Sequence, residues 1–328
     1  MSGPAARRTG VGLLALAAVV PLFTLSNYRL GILALVLSYA VASLAQNLLA
    51  GYADVPSLGN VVFFAASAYT AGGLLFLTHA SPLIALPLGV VAAGVLGLVI
   101  GLPALRVSGM HLAVVSVALL FVGQELAQQW ESGHAPQGVT VADPSWLLQE
   151  RNLYLVAIMV VAVTYVATWN VLRSRSGRAI VAASENPYAG AASGIDAARY
   201  RLLAFVLSGL LTGTAGVVYM YYAPTVLHGA FTLDLSLAFL TMMIVGGSGS
   251  LGGSLLGAFI IGLLPQVLEL LPSTIGRVDL QQSVNGIYAL LLLVTLRSFP
   301  DGLWNLLAGG VGRLMSDNNE VSTGDGRQ

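Results

Sequence analysis

Ten apolar runs, each near the length a helix needs to cross a bilayer, follow one another through this chain with little charge between them. They fall at roughly 11–27, 30–50, 57–78, 83–104, 109–128, 152–172, 200–222, 232–247, 253–271 and 283–297. Lipid offers the backbone no hydrogen-bond partner, so a segment of about 20 apolar residues must satisfy its own amides as a helix. Charged residues make up 9% of the chain, against roughly 25% in soluble domains, too few to cover a wet surface. The fold class expected is an all-α polytopic integral membrane protein with about 8–10 transmembrane or re-entrant helices. Two runs are ambiguous. The run at 57–78 is rich in Ala, Gly, Ser and Thr, and the run at 232–247 is short and ends in Gly246-Gly247, so either crosses or enters and turns back.

Arginine placement orients the helices. With the N-terminus inside and every run crossing, the inside loops hold eleven arginines and the outside loops hold Arg29, Arg151 and Arg277, the asymmetry expected of cytoplasmic against external loops. Both termini are then cytoplasmic. Residues 1–10, with Arg7 and Arg8, read as a cytoplasmic N-terminus before a first span; no small-residue cleavage site followed by polar sequence marks a signal peptide. Residues 11–315 form one transmembrane domain, and the polar tail 316–328 reads as disordered.

Two connections stand out. The cytoplasmic loop 173–199 begins a stretch with five arginines (Arg173, Arg175, Arg178, Arg199 and Arg201) around a small-residue helical segment centred on Glu185, Asn186 and Pro187. The external loop 129–151 carries Glu131, Asp143, Glu150, two prolines and two tryptophans. It reads equally as an ordered cap or as a landing surface for an extracytoplasmic partner.

Enzyme chemistry finds no foothold. The four histidines are isolated in sequence, no HExxH, GxSxG or Walker pattern occurs, and no cysteine is present. The glycine run Gly246 to Gly253 resembles a phosphate loop by composition but lacks the Gly-Lys-Ser/Thr ending. No metal, cofactor or nucleic acid is expected; membrane lipids are. Ionisable groups in spans are costly and usually functional, and Glu125 is the one clearly internal case. Neutral polar residues offer a pathway lining, with helix-to-helix hydrogen bonding the alternative for each. The pathway candidates are Tyr52, Ser57, Asn60, Tyr69, Ser116, Glu125, Gly246 and Gly247; Asn47, Thr70, Gln124, Thr241 and Asn285 extend the polar set. Glycine-rich breaks after Ala50 and around Gly246 occupy corresponding places in the two halves, as in repeated transporter cores. Uphill transport needs an ion gradient or a separate motor. Scarce intramembrane carboxylates weigh against a proton relay, and the large helical cytoplasmic loop favours a motor.

Four motifs in order carry a resemblance. They are NLLAGYADVPSLGNVVFFAASAYTAG (Asn47 to Gly72), LRVSGMHLAVVSVAL (Leu105 to Leu119), SRSGRAIVAASENPYAGAASGIDAARYRLLAFVLSG (Ser174 to Gly209) and FTLDLSLAFLTMMIVGGSGSLGGSLLGA (Phe231 to Ala258), with a closing LRSFPDGL from Leu296. Over roughly residues 30 to 305 the chain resembles the LivM-type permease subunit of branched-chain amino-acid ABC importers. The resemblance implies a bacterial multi-pass cell-membrane protein that forms half of a translocation pathway and is not itself an enzyme. The implied partners are a second, LivH-like permease subunit, two ATP-binding subunits and an extracytoplasmic substrate-binding protein. It also implies a coupling helix in the third motif, where Gly177, Arg178, Glu185, Asn186, Ala189, Ala192 and Gly194 match. Departures cluster elsewhere: Asn60 stands where the family usually has His, Asp54 replaces a glycine, His111 a tyrosine and Asp301 an arginine. These bear on the solute. Related importers carry urea, short amides, nucleosides or sugars, and a gradient-driven secondary transporter acting alone is the alternative of another class.

Overall fold

A computed structural model describes residues 21, 26–105, 110–141, 144–223 and 225–269, with 274–275, 278–279, 286 and 297. The runs at 11–27 and 283–297 lie outside the described residues apart from single positions. So do residues 1–10, the tail 316–328, Arg106 and Asn285.

The described chain is a helical bundle. Its helices are α1 (Asn27–Gln46), α2 (Asn60–Thr78), α3 (Pro82–Ala104), α4 (Met110–His134), α5 (Glu150–Arg173), α6 (Arg175–Glu185), α7 (Pro187–Ala192), α8 (Ala197–Tyr222), α9 (Leu233–Gly246) and α10 (Leu251–Glu269). A π-helical turn, Asn47–Tyr52, prolongs α1. A short antiparallel pair joins Thr274–Ile275 to Val278–Asp279. Seven helical stretches, Asn27–Tyr52 through His228–Gly246, are long and apolar enough to cross a membrane, and Leu251–Val267 is a shorter apolar helix. The chain is an all-α polytopic membrane protein. Of the two ambiguous runs, the first is one unbroken helix of 19 residues, about 28 Å at 1.5 Å per residue. The second contains a helix of only 14, about 21 Å against a hydrocarbon core of about 30 Å.

Side-chain contacts fix the helix directions. Gly94, Gly97 and Gly101 of α3 face Leu210, Phe205 and Leu202 of α8, so these two run antiparallel. Gly31 lies against Glu150 and Tyr222, and Ser38 Oγ donates to the Ala215 carbonyl, which sets α1 parallel to α5 and antiparallel to α8. The bundle therefore has two ends. One gathers the 173–201 stretch with the 53–59 and 246–250 turns; the other gathers 134–150 and 223–232.

The centre is α1, most of whose residues are buried. Beside it Phe64 sits among Tyr39, Tyr219, Phe231 and Phe239 at ring-centroid distances of 5.1 to 6.4 Å. Glycine lets the backbones meet. A Cβ on Gly97 would lie 2.7 Å from the Phe205 carbonyl oxygen, and one on Gly209 would lie 2.6 Å from that of Ala93. Such close approach is how helices gain dispersion energy where lipid removes the hydrophobic drive.

The glycine run is a helical hairpin between α9 and α10. Gly247 turns it at φ 125° and Gly249 at φ 73°. Asn47, at the π-turn, reaches into that hairpin: its Nδ2 donates to the Ser250 carbonyl (2.8 Å) and Ser254 Oγ (2.6 Å), and its Oδ1 accepts from Gly249 N (2.8 Å). Gly51 makes the room, since a Cβ there would stand 1.8 Å from Asn47 Oδ1. Asn47→Ala leaves the buried turn short of three partners, at about 1 kcal/mol or more for each. A lowered midpoint of thermal unfolding in detergent, with less monodisperse protein, is the expected outcome.

Candidate functional site

Between α1 and α2 the backbone is irregular yet buried at Ala53, Val55 and Ser57. Irregular chain at membrane depth survives only where protein satisfies it, and three helices do so here. Gln46 Nε2 donates to the Ser57 carbonyl (2.8 Å), Ser116 Oγ of α4 accepts from Leu58 N (2.8 Å), and Ser236 Oγ of α9 donates to the Leu58 carbonyl. Asn60 Nδ2 then reaches Ser208 Oγ of α8 at 3.3 Å, and Ser208 donates to the Ala45 carbonyl. Asn60 Oδ1 is buried without a hydrogen-bond partner among the described residues. Ser57 Oγ accepts from Gly59 N. Ser57, Asn60 and Ser116 are thus placed together as a polar clamp on one turn, with Tyr52, Gly246 and Gly247 near it at the same end of the bundle.

Tyr69 lies elsewhere. It lines an apolar groove of about 650 Å³ between α2 and α4, walled also by Leu96, Val99 and Ile100 of α3. Thr70 and Gln124 line it too, and Trp130, His228 and Phe231 close one end. Glu125 is exposed; it accepts from Gln129 Nε2 (3.1 Å) one turn on and is not among the groove's lining residues.

Behind the closed end is a cluster that spacing along the chain does not disclose. Glu131, on the last turns of α4, is 5% exposed. Tyr69 Oη donates to its Oε1, His228 N donates to the same oxygen at 2.8 Å, and His228 Nδ1 meets Oε2 at 2.5 Å. Glu131 and His228 are 97 residues apart, so each looks isolated in sequence. The run read as the external loop 129–151 begins inside α4, which continues to His134. Past it, Val139 and Val226 exchange backbone hydrogen bonds at 3.0 and 2.9 Å, and Val139 packs on Gly72. This part of the connection is packed against α2 and paired with the segment after α8.

At the arginine-rich end α6 and α7 form a platform. Ser174 caps α6 by accepting from Gly177 N (3.2 Å), and a Cβ on Gly177 would lie 2.2 Å from the Val171 carbonyl oxygen. Glycine is therefore needed for the sharp corner from α5. The inner face of α6 buries Ala179, Ile180 and Ala183, and Ser184 Oγ donates to the Tyr52 carbonyl at 2.9 Å. Asn186 caps α7 through Ala189 N (3.0 Å). Beyond that cap the chain stands proud: Ala189, Ala192 and Gly194 are exposed, and Tyr188 is 89% exposed. Arg178 and Glu185 are exposed on α6. Asp196 ends the excursion by capping α8 at Ala198 N and Arg199 N.

The family model described as "Branched-chain amino acid transport system / permease component" matches residues 28–296. The chain is 28% identical to the high-affinity branched-chain amino acid transport system permease protein LivM of Escherichia coli (strain K12) over 286 residues. That alignment spans 76% of this chain and 66% of the relative, just under two thirds of its length. Identity is 25% to the probable branched-chain amino acid transport permease protein LivH of Methanocaldococcus jannaschii, spanning 80% of this chain and 87% of that one. The ribose import permease protein RbsC of Haemophilus influenzae is 30% identical over 35% of this chain and 38% of its own.

Proposed function

Because the chain belongs to the branched-chain amino acid transport system / permease component family, we propose that it is the transmembrane subunit of an ATP-binding-cassette importer and forms half of a translocation pathway. Its cargo on this reading is a branched-chain or similar small amino acid. Its partners are a second permease subunit, two ATP-binding subunits and an extracytoplasmic binding protein. ATP hydrolysis belongs to the ATP-binding subunits, and this chain needs no cofactor.

The observation that carries the reading is the α6–α7 platform. Five arginines mark its end of the bundle, which supports a cytoplasmic orientation. The platform buries one face against α5, α8 and the π-turn and presents small residues and one aromatic outward. Such a surface suits a groove on a soluble ATPase. Arg178, Glu185, Asn186, Ala189, Ala192 and Gly194 would face the partner, while Gly177 holds the corner that transmits its push to α5 and α8.

The test is reconstitution. The chain, purified with its candidate permease and ATPase partners, is placed in proteoliposomes with the binding protein outside. ATP-dependent leucine uptake is expected only when all components are present. Uptake driven by an ion gradient with this chain alone would show a secondary transporter instead. A thermal-shift screen of the binding protein against amino acids, urea, amides, nucleosides and sugars names the cargo; indifference to leucine, isoleucine and valine removes the amino-acid label.

A further inference from the structure

Resting on the transport reading and deepening it, we propose that the groove between α2 and α4 holds the solute, with His228 as its specificity-determining residue and Glu131 as the residue that positions it. The solute class is a small molecule with an apolar body and a carboxylate head.

The groove walls are apolar, and the polar side chains at the closed end are Tyr69 and His228, beside Trp130 and Phe231. A cavity of about 650 Å³ falls within the usual range for small-molecule sites. Glu131 itself sits behind this end, its carboxylate taking three hydrogen bonds, all from Tyr69 and His228. A buried carboxylate is strongly unfavourable unless donors surround it, so the cluster holds both partners in fixed orientations. Its effect on His228 is specific. With Nδ1 against a carboxylate, the proton belongs on Nδ1, and the tautomer is set by that partner. The other ring nitrogen, Nε2, has no hydrogen-bond partner among the described residues. Once protonated, Nε2–H donates to a solute carboxylate, a charge-assisted bond of the stronger kind. Tyr69 has committed its proton to Glu131, so its oxygen offers lone pairs, which suit an ammonium group. Aliphatic substance then lies along Ala66 and Ala127, one turn further along the groove.

The absence of cysteine makes occupancy directly measurable. Thr70, on the groove wall, is changed to cysteine in the complete reconstituted complex, and its alkylation by a small maleimide is followed with millimolar leucine or leucinamide present. Leucine is expected to slow alkylation, and leucinamide, which lacks the carboxylate, to do so about tenfold less effectively. His228→Gln and Glu131→Gln should each erase that difference, a selectivity that a merely structural role would leave intact. If Glu131→Gln fails to fold, His228→Gln, at a ring 36% exposed, decides alone. A leucine preference kept in His228→Gln overturns the assignment. Leucine uptake without any protection at position 70 also overturns it, while sparing the transport reading. Absent leucine uptake in the wild-type complex overturns the transport reading and the site with it.

Discussion

Tryptophan at Ala192 is expected to abolish ATP-driven uptake while the chain still inserts into the membrane at its normal level. Ala192 is exposed at the end of α7, so an indole there points away from the buried core and the fold has no reason to fail. If the ATPase receives this helix in a groove, a side chain of that size holds the surfaces apart, and a well-packed interface loses several kcal/mol when its core is displaced. Tyr188→Ala tests the same surface by subtraction. An exposed aromatic of this kind is a typical interface anchor, and its removal costs about 2 kcal/mol, roughly thirtyfold in partner affinity. Gly194→Trp is a less clean probe, because Gly194 sits at φ +78°. There any side chain adds backbone strain of about 1–2 kcal/mol to whatever it does at an interface. The measurements are uptake into proteoliposomes and the amount of ATPase retained on the tagged permease. Wild-type uptake and retention by Ala192→Trp would remove the platform from the mechanism.

The bundle was legible because lipid forces one solution on each apolar run, and the described helices fall close to the runs at 30–50, 57–78, 83–104, 152–172 and 200–222. The polar details were legible only in part. Asn47 and Ser116 stood out as polar groups in apolar surroundings, but pattern alone does not separate a pathway lining from a clamp. The structure engages both as clamps on buried turns. Glu131 was assigned to an external loop because the apolar run gives way to polar residues after Ala127, whereas α4 carries on through them to His134. His228 looked solitary because its partner is 97 residues distant. Tyr188 is legible as an aromatic between a helix-starting proline and a run of small residues, in a stretch otherwise polar or small.

Alanine at Gly246 or Gly257 should damage the fold more than Ala192→Trp or Tyr188→Ala at the platform. A Cβ on Gly246 would lie 1.9 Å from the Gly253 carbonyl oxygen, and one on Gly257 1.8 Å from that of Met242. Carbon–oxygen contacts settle at about 3.3 Å or more, so α9 and α10 must separate by well over 1 Å. No rotamer relieves this, because both sides of the clash are backbone. Separation also draws the hairpin turn away from Asn47, whose three hydrogen bonds to 249, 250 and 254 hold it against α1. Overpacking of about 1–3 kcal/mol then adds to about 1 kcal/mol for each bond lost. A total of about 4–6 kcal/mol lowers the unfolding midpoint by roughly 6–9 °C in a domain of this size. Gly133→Ala is the control: a Cβ there meets nothing within 4 Å, and inside a helix alanine is the better residue by about 1 kcal/mol. Thermal unfolding in detergent, followed by size-exclusion of the surviving fraction, separates the two classes. If Gly246→Ala unfolds at the same temperature as Gly133→Ala, the hairpin is held by something other than the close approach of its two helices, and the Asn47 clamp becomes the feature to remove next.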